Sequence, residues 1–164
     1  MSKEINIKTG ELAVETDSAV IKTGSIGSCV IITLYDKVRK IGGLAHAMLP
    51  TRRDGTTPDP STASFDEGNA SAKYVDDAVN NLVYGLKKIG GKIEDTEAKL
   101  IGGASMFKKL TGDTHGIGYQ NVEAARNKLK SLGIKIENED TGGGLGRSVI
   151  FNLSNGLVEI VTSI

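Results

Sequence analysis

Tryptophan is absent from this 164-residue chain, cysteine occurs once, histidine twice and proline three times. A single thiol cannot close an internal disulfide, which fits a reducing compartment. Cys29, His46 and His115 also lack the paired spacing of zinc sites, so no metal or other cofactor is expected. Aromatic residues make up only 4% and are not interleaved with basic ones, unlike the pattern of single-strand binders. The 20 basic and 20 acidic side chains cancel, leaving no electrostatic footprint for nucleic acid or an anionic membrane. No apolar run nears the ~20 residues of a membrane span, and the first residues lack the apolar core of a signal peptide. The expectation is a cytoplasmic protein with no nucleic-acid partner and no membrane insertion.

What is present reads as a single domain over residues 1–164 with one substantial core. Up to Pro50 the pattern is short and strand-like: Leu12 to Val14, Ala19 to Ile21, Val30 to Tyr35 and Ile41 to Met48, separated by Gly, Asp, Ser or Lys. A polar stretch from Thr51 to Asp66 carries Pro58 and Pro60 and reads as a lid, a substrate rim or a plain loop. A capping-box pattern at Ser64 to Glu67 precedes Ala70, Tyr74, Ala78, Leu82, Leu86 and Ile89, spaced by four and three as on one helix face. Gly90-Gly91 ends that helix. Ala98 to Ile101 reads as a buried strand, followed by a brief helical turn toward Leu110. A second amphipathic helix is predicted from about Asn121 to Leu132, stopped by Gly133. Three strands close the chain: Ile134 to Ile136, Arg147 to Leu153 and Leu157 to Val161, the last two joined by an Asn155-Gly156 turn. Strands, then helices, then strands define an α+β fold with predominantly antiparallel pairing and both helices outside a sheet core.

The chemistry concentrates at Cys29, which follows the turn Gly24-Ser25-Ile26-Gly27-Ser28 and opens an apolar run. His46 lies seventeen residues on, in the next apolar run. If Lys37 to Lys40 form a four-residue turn, facing residues sum to 77, and His46 lies opposite Ile31. Cys29 and His46 then become diagonal neighbours on one sheet face, roughly 7–8 Å apart at the backbone. A thiol and an imidazole so placed are the minimum for nucleophilic cysteine catalysis. The plainer alternative is a buried packing cysteine and a hydrogen-bonded core histidine. Gly24 and Gly27 allow backbone conformations that aim N–H groups at a developing oxyanion, with Ser28 and Gly27 as the candidate oxyanion residues. Thr23, at the end of the preceding strand, could return to orient the imidazole. Gly42, Gly43, Ala45 and Ala47 suggest open space around His46. Elsewhere, Gly142 to Gly146 lacks the Lys-Ser/Thr of a phosphate loop. His115 is an alternative base in a polar segment, and Arg52-Arg53 is a partner-facing rim or a solvated pair.

Taken together, these segments resemble the chemoreceptor glutamine deamidase family, CheD. The resemblance is carried by Thr23-Gly-Ser-Ile-Gly-Ser-Cys29-Val, Gly43-Leu-Ala-His46-Ala-Met-Leu-Pro50 and Tyr74 to Ala78. Lys99 to Phe107, Ile117-Gly118 with Asn121, Asp140 to Gly143 and Gly146 to Val149 continue it in order across nearly the whole chain. It implies a β-sheet sandwich flanked by helices, similar to the cysteine-hydrolase fold of deamidating toxins. It also implies hydrolysis of glutamine side chains on methyl-accepting chemoreceptors, with Cys29, His46 and Thr23 as the catalytic triad. A CheC-type phosphatase is the implied partner. Two departures stand out: Gln120 replaces a usual arginine, and the Thr51 to Asp66 loop looks longer than typical. The rival reading is a non-catalytic adaptor for a receptor helix or that phosphatase. A third is a hydrolase of small amides.

Overall fold

A computed structural model describes residues 3–16, 18–51, 71–105 and 116–163. In chain order these form β1 (Lys3–Asn6), β2 (Leu12–Glu15), β3 (Ala19–Ile26), β4 (Val30–Asp36), β5 (Ile41–Ala47), α1 (Val75–Lys88), β6 (Thr96–Gly102), α2 (Ile117–Ser131), β7 (Lys135–Thr141), β8 (Gly146–Asn152) and β9 (Val158–Ser163). The strands make two sheets, ordered β1-β3-β8-β9 and β2-β5-β4-β6-β7. Pairing is antiparallel except for β1 with β3 and β6 with β7, so the α+β fold with mostly antiparallel strands holds.

Why the central strands read as continuous apolar runs follows from their position. β4 is covered on both faces, so it has no polar side to alternate with. Val30, Ile32 and Leu34 pack toward the helices with Leu82, Leu86 and Leu129. Ile31 points the other way, into a second core with Ile21, Leu44, Val149 and Phe151 between the sheets. Each such fully buried aliphatic side chain contributes about 1.5–3 kcal/mol by leaving water. Both helices therefore lie on one face of the five-stranded sheet. The four-stranded sheet covers the other, giving three layers.

Helix α1 buries Val75, Ala78, Val79, Leu82, Val83 and Leu86, a stripe at three- and four-residue spacing. Asp76 and Asp77 in its first turn and Lys87 and Lys88 in its last complement the helix dipole. The amide of Gly91 donates to Leu86 O at 2.8 Å, closing its C-terminal end. Helix α2 starts at Ile117, four residues before the predicted start, because Ile117, Tyr119 and Gln120 form a largely exposed first turn with no apolar period to announce it.

Other differences are physical consequences of edges. β1 is short and mostly exposed, with no pattern to announce it, and β7 runs over Lys135–Thr141 where the sequence reading gave Ile134 to Ile136, because pairing with β6 rather than an apolar pattern holds its exposed outer part. The expected capping box at Ser64 to Glu67, most of the Thr51 to Asp66 loop, the helical turn toward Leu110, Arg52-Arg53 and His115 lie outside the described residues. Among the described residues, no helix is long and apolar enough to cross a membrane, and no group of three His, Cys, Asp or Glu could hold a metal ion.

Candidate active site

The β4–β5 hairpin sets the register on which the site depends. Asp36 faces Ile41 and Ile31 faces His46, so facing residues sum to 77 as the four-residue turn predicts. Asp36 builds that turn: its carboxylate accepts from the amides of Val38 (3.0 Å) and Arg39 (3.1 Å) and from the Arg39 guanidinium (2.8 Å). Ile31 and Leu44 both belong to the core between the sheets, so His46, in phase with Leu44, faces that layer. Cys29, one residue before β4, adjoins the closing pair Val30–Ala47, next to the position of His46 on β5.

Thr23 comes from the other sheet. Its Oγ1 and His46 Nδ1 share a hydrogen bond of 2.7 Å that spans the two layers. A β-bulge makes this possible. Thr23 faces Val149 and Ile26 faces Arg147, so three steps along β3 match two along β8. In a regular strand Thr23 and Ile26 would point to opposite faces; the extra residue turns both inward. Thr23 is 6% exposed and Ile26 fully buried, while Gly24 and Ser25 are exposed and Ser25 takes a φ of 54°. The sequence reading ended the strand at Thr23, whereas β3 continues through the bulge to Ile26.

The turn before the thiol is held from behind. Ala104 N donates to Gly27 O (2.9 Å) and Gly103 N to Cys29 O (2.7 Å). The Asn121 side-chain amide, on α2, donates to Ser28 O and to Met48 O, both at 2.9 Å. Gly102 is required here: its φ is +111°, and an added Cβ would lie 2.4 Å from Cys29 O. In the sequence Asn121 was visible as a helix-start residue and as one piece of the family resemblance; the contacts it makes depend on what α2 packs against.

One expectation fails. The small residues near His46 do not open a pocket. A Cβ at Gly42 would meet Leu34 O at 2.6 Å, and one at Gly43 would meet Ala13 O at 2.8 Å and Leu82 Cδ2 at 2.9 Å. Ala45 and Ala47 are buried in the core beneath the helices. These positions are small because neighbours approach closely. Cys29 is half-buried, while His46 is fully buried.

Burial also sets the protonation states. It pushes the Cys29 thiol upward, partly offset by its own backbone N–H, and lowers the His46 imidazole to about 4. Near neutral pH both groups are uncharged. The site therefore starts from a thiol and a neutral imidazole rather than from a thiolate–imidazolium pair. A prediction follows: Cys29 alkylation by iodoacetamide should be slow at pH 7 and climb through the alkaline range. A rate already at its plateau by pH 6 would reveal a preformed ion pair instead.

Among the described residues His46 Nε2 is buried with no hydrogen-bond partner. Fold and site thus define an α+β sandwich protein with threonine, histidine and cysteine grouped at one end of its sheets.

Comparison with known proteins agrees with that class. The family model described as CheD chemotactic sensory transduction matches residues 48–162. The "Chemoreceptor glutamine deamidase CheD" of Thermotoga maritima is 45% identical over 156 residues, covering 95% of this chain and 88% of that protein. The "Probable chemoreceptor glutamine deamidase CheD" of Pyrococcus abyssi is 41% identical over 160 residues, 98% of this chain and 92% of the relative. That of Archaeoglobus fulgidus, named in the same words, is 41% identical over 156 residues, 95% of this chain and 91% of its own. The chain belongs to the CheD family. Thr23, Cys29 and His46 precede the segment matched by the family model but fall within the near-full-length alignment to the Pyrococcus relative.

Proposed function

We propose that residues 1–164 act as one cytoplasmic deamidase domain, a protein-glutamine glutaminase acting on methyl-accepting chemoreceptors. It would hydrolyse glutamine side-chain amides on their cytoplasmic helices to glutamate, releasing ammonia. The names of the relatives support the substrate class. The observation that supports the chemistry is the Thr23–His46 bond, with a buried Nε2 that has no partner among the described residues and a half-buried thiol one residue before the Val30–Ala47 pair.

The catalytic residues are Cys29, His46 and Thr23, and the reaction starts from neutral groups. With the Nδ1 proton donated to Thr23 Oγ1, His46 Nε2 carries the lone pair. As Cys29 Sγ attacks the amide carbon, Nε2 takes the thiol proton. The amide oxygen becomes an oxyanion received by the backbone N–H groups at Ser28 and Cys29 in the turn that Gly27 opens. The imidazolium gives its proton to the leaving nitrogen, and ammonia departs from a thioester. Neutral His46 then activates water, which hydrolyses the thioester to glutamate and restores the thiol. A glutamate methyl ester enters the same thioester with methanol as the leaving group. A CheC-type phosphatase is the proposed regulatory partner.

Thr23 should matter through the ring it orients. In Thr23→Val the isosteric side chain leaves Nδ1 buried and unpaired, at about 1–3 kcal/mol of stability. Turnover should fall roughly 10–100-fold, as for loss of a general-base orienter, while Thr23→Ser should recover most of it. Equal activity in wild type and Thr23→Val would remove Thr23 from the mechanism.

The direct test incubates the protein with a cytoplasmic receptor fragment and reads ammonia release together with the mass gain of amide-to-acid conversion. Site-specific conversion is expected. Binding of the fragment with no conversion, by a chain whose thiol never alkylates, would favour the adaptor reading.

A further inference from the structure

Three consecutive carbonyls, those of Gly27, Ser28 and Cys29, are each held from outside the turn. Their donors are Ala104 N, Asn121 Nδ2 and Gly103 N. A trans peptide is planar, so fixing a carbonyl points the N–H on the same plane the opposite way. The Ser28 amide is fixed in this manner by the Gly27 carbonyl, and the Cys29 amide by the Ser28 carbonyl. Among the described residues, neither amide donates to a backbone carbonyl.

Two of these clamps are backbone; the third is a side chain. Asn121 is fully buried, and both partners of its amino group are carbonyls, which fixes the orientation of its carboxamide. The β4–β5 ladder ends at the pair Val30 and Ala47. Cys29 and Met48 would come next. At that missing rung Asn121 ties the residue before the nucleophile to the strand that carries His46.

We propose that Asn121 is a positioning residue for the deamidation reaction: by holding Ser28 O back, it aims the Cys29 N–H at the oxyanion and fixes the spacing between Cys29 and His46. This rests on the deamidase reading above. It assigns to α2 a part in transition-state stabilisation although no atom of the helix touches the reacting carbon.

The test compares wild type, Cys29→Ala, Asn121→Asp and Asn121→Ala on the receptor fragment. Asn121→Asp keeps the shape of the side chain and removes both donors. The expected result is a kcat loss of about 100-fold, the cost of a misaimed oxyanion donor, with KM nearly unchanged. Iodoacetamide alkylation of Cys29 should stay close to wild type, since that reaction forms no oxyanion. A receptor peptide carrying an aldehyde in place of the target carboxamide gives a second readout. Sγ adds to its carbonyl carbon and the thiol proton passes through His46 to the oxygen, giving a thiohemiacetal. Its affinity should fall by about the same factor in the Asp variant, whereas the corresponding alcohol, which cannot add, should bind as before.

A kcat within threefold of wild type for both Asn121 variants would overturn the proposal. So would a parallel loss of turnover, alkylation and alcohol binding, which marks a merely structural role. If both variants fail to fold, wild-type amide NMR decides: the Cys29 proton should move downfield when the aldehyde binds, and an unmoved resonance sinks the idea. Turnover retained by Cys29→Ala would instead sink the Cys29 thioester mechanism on which this role rests. An inactive Cys29→Ala beside fully active Asn121 variants would sink only the role of Asn121.

Discussion

Replacing Cys29 by alanine should bring ammonia release from a receptor fragment down to background, a loss of at least about 10⁴-fold. In the proposed mechanism the thiol is the only covalent nucleophile, and water held by His46 alone has no activated path to the amide carbon. The structure gives reason to expect a clean result. Cys29 is half-buried, and the turn around it is held through backbone carbonyls rather than through the sulfur. Removing one sulfur atom there should cost about 1 kcal/mol or less in stability. Thermal unfolding of the variant within a few degrees of wild type, together with lost turnover, is the expected outcome. Sustained conversion of glutamine to glutamate by this variant would end the thioester mechanism.

His46→Ala should be nearly as damaging, with kcat down about 10³–10⁴-fold, because members of one catalytic unit fail together. Its stability should also change in a pH-dependent way that reports on burial. Folded His46 takes its proton at about 4, against 6.5 for an ordinary histidine. Between those values the unfolded chain holds more protons, so low pH favours unfolding. The contribution is complete above pH 6.5 and is lost as pH falls toward 4. Integrated over that window it is roughly 3 kcal/mol. Urea titrations should show a steeper decline over that window for wild type than for His46→Ala. The same low value places the acid limb of kcat/KM well below 6.5. Identical pH slopes in the two proteins would mean that the imidazole is not held neutral by burial.

Both predictions rest on a site drawn from three parts of the fold, and those parts differ in how plainly the sequence announces them. The four-residue turn between Asp36 and Ile41 is a local feature, and a strand has period two. Register therefore follows from counting, and the facing of Ile31 to His46 and of Val30 to Ala47 with it. Long periodic segments are equally plain, as the Val75 to Leu86 stripe demonstrates. The glycines and alanines beside His46 misled because a small side chain can mean either space or close approach. Only the positions of Leu34, Ala13 and Leu82 decide which.

By itself, then, the amino-acid order determined the α+β class, the hairpin register, the lone thiol with its imidazole, and the resemblance to CheD. Each of these depends on neighbours in the chain or on residue types in order. The tertiary structure decided what joins the two sheets. It put Thr23 against His46 through a bulge, laid both helices on one face, buried the imidazole until it became neutral, and brought Asn121 behind Ser28. Those contacts link residues 23 to 93 positions apart. No local propensity encodes them; they exist only once the apolar faces of two sheets and a helix have packed together.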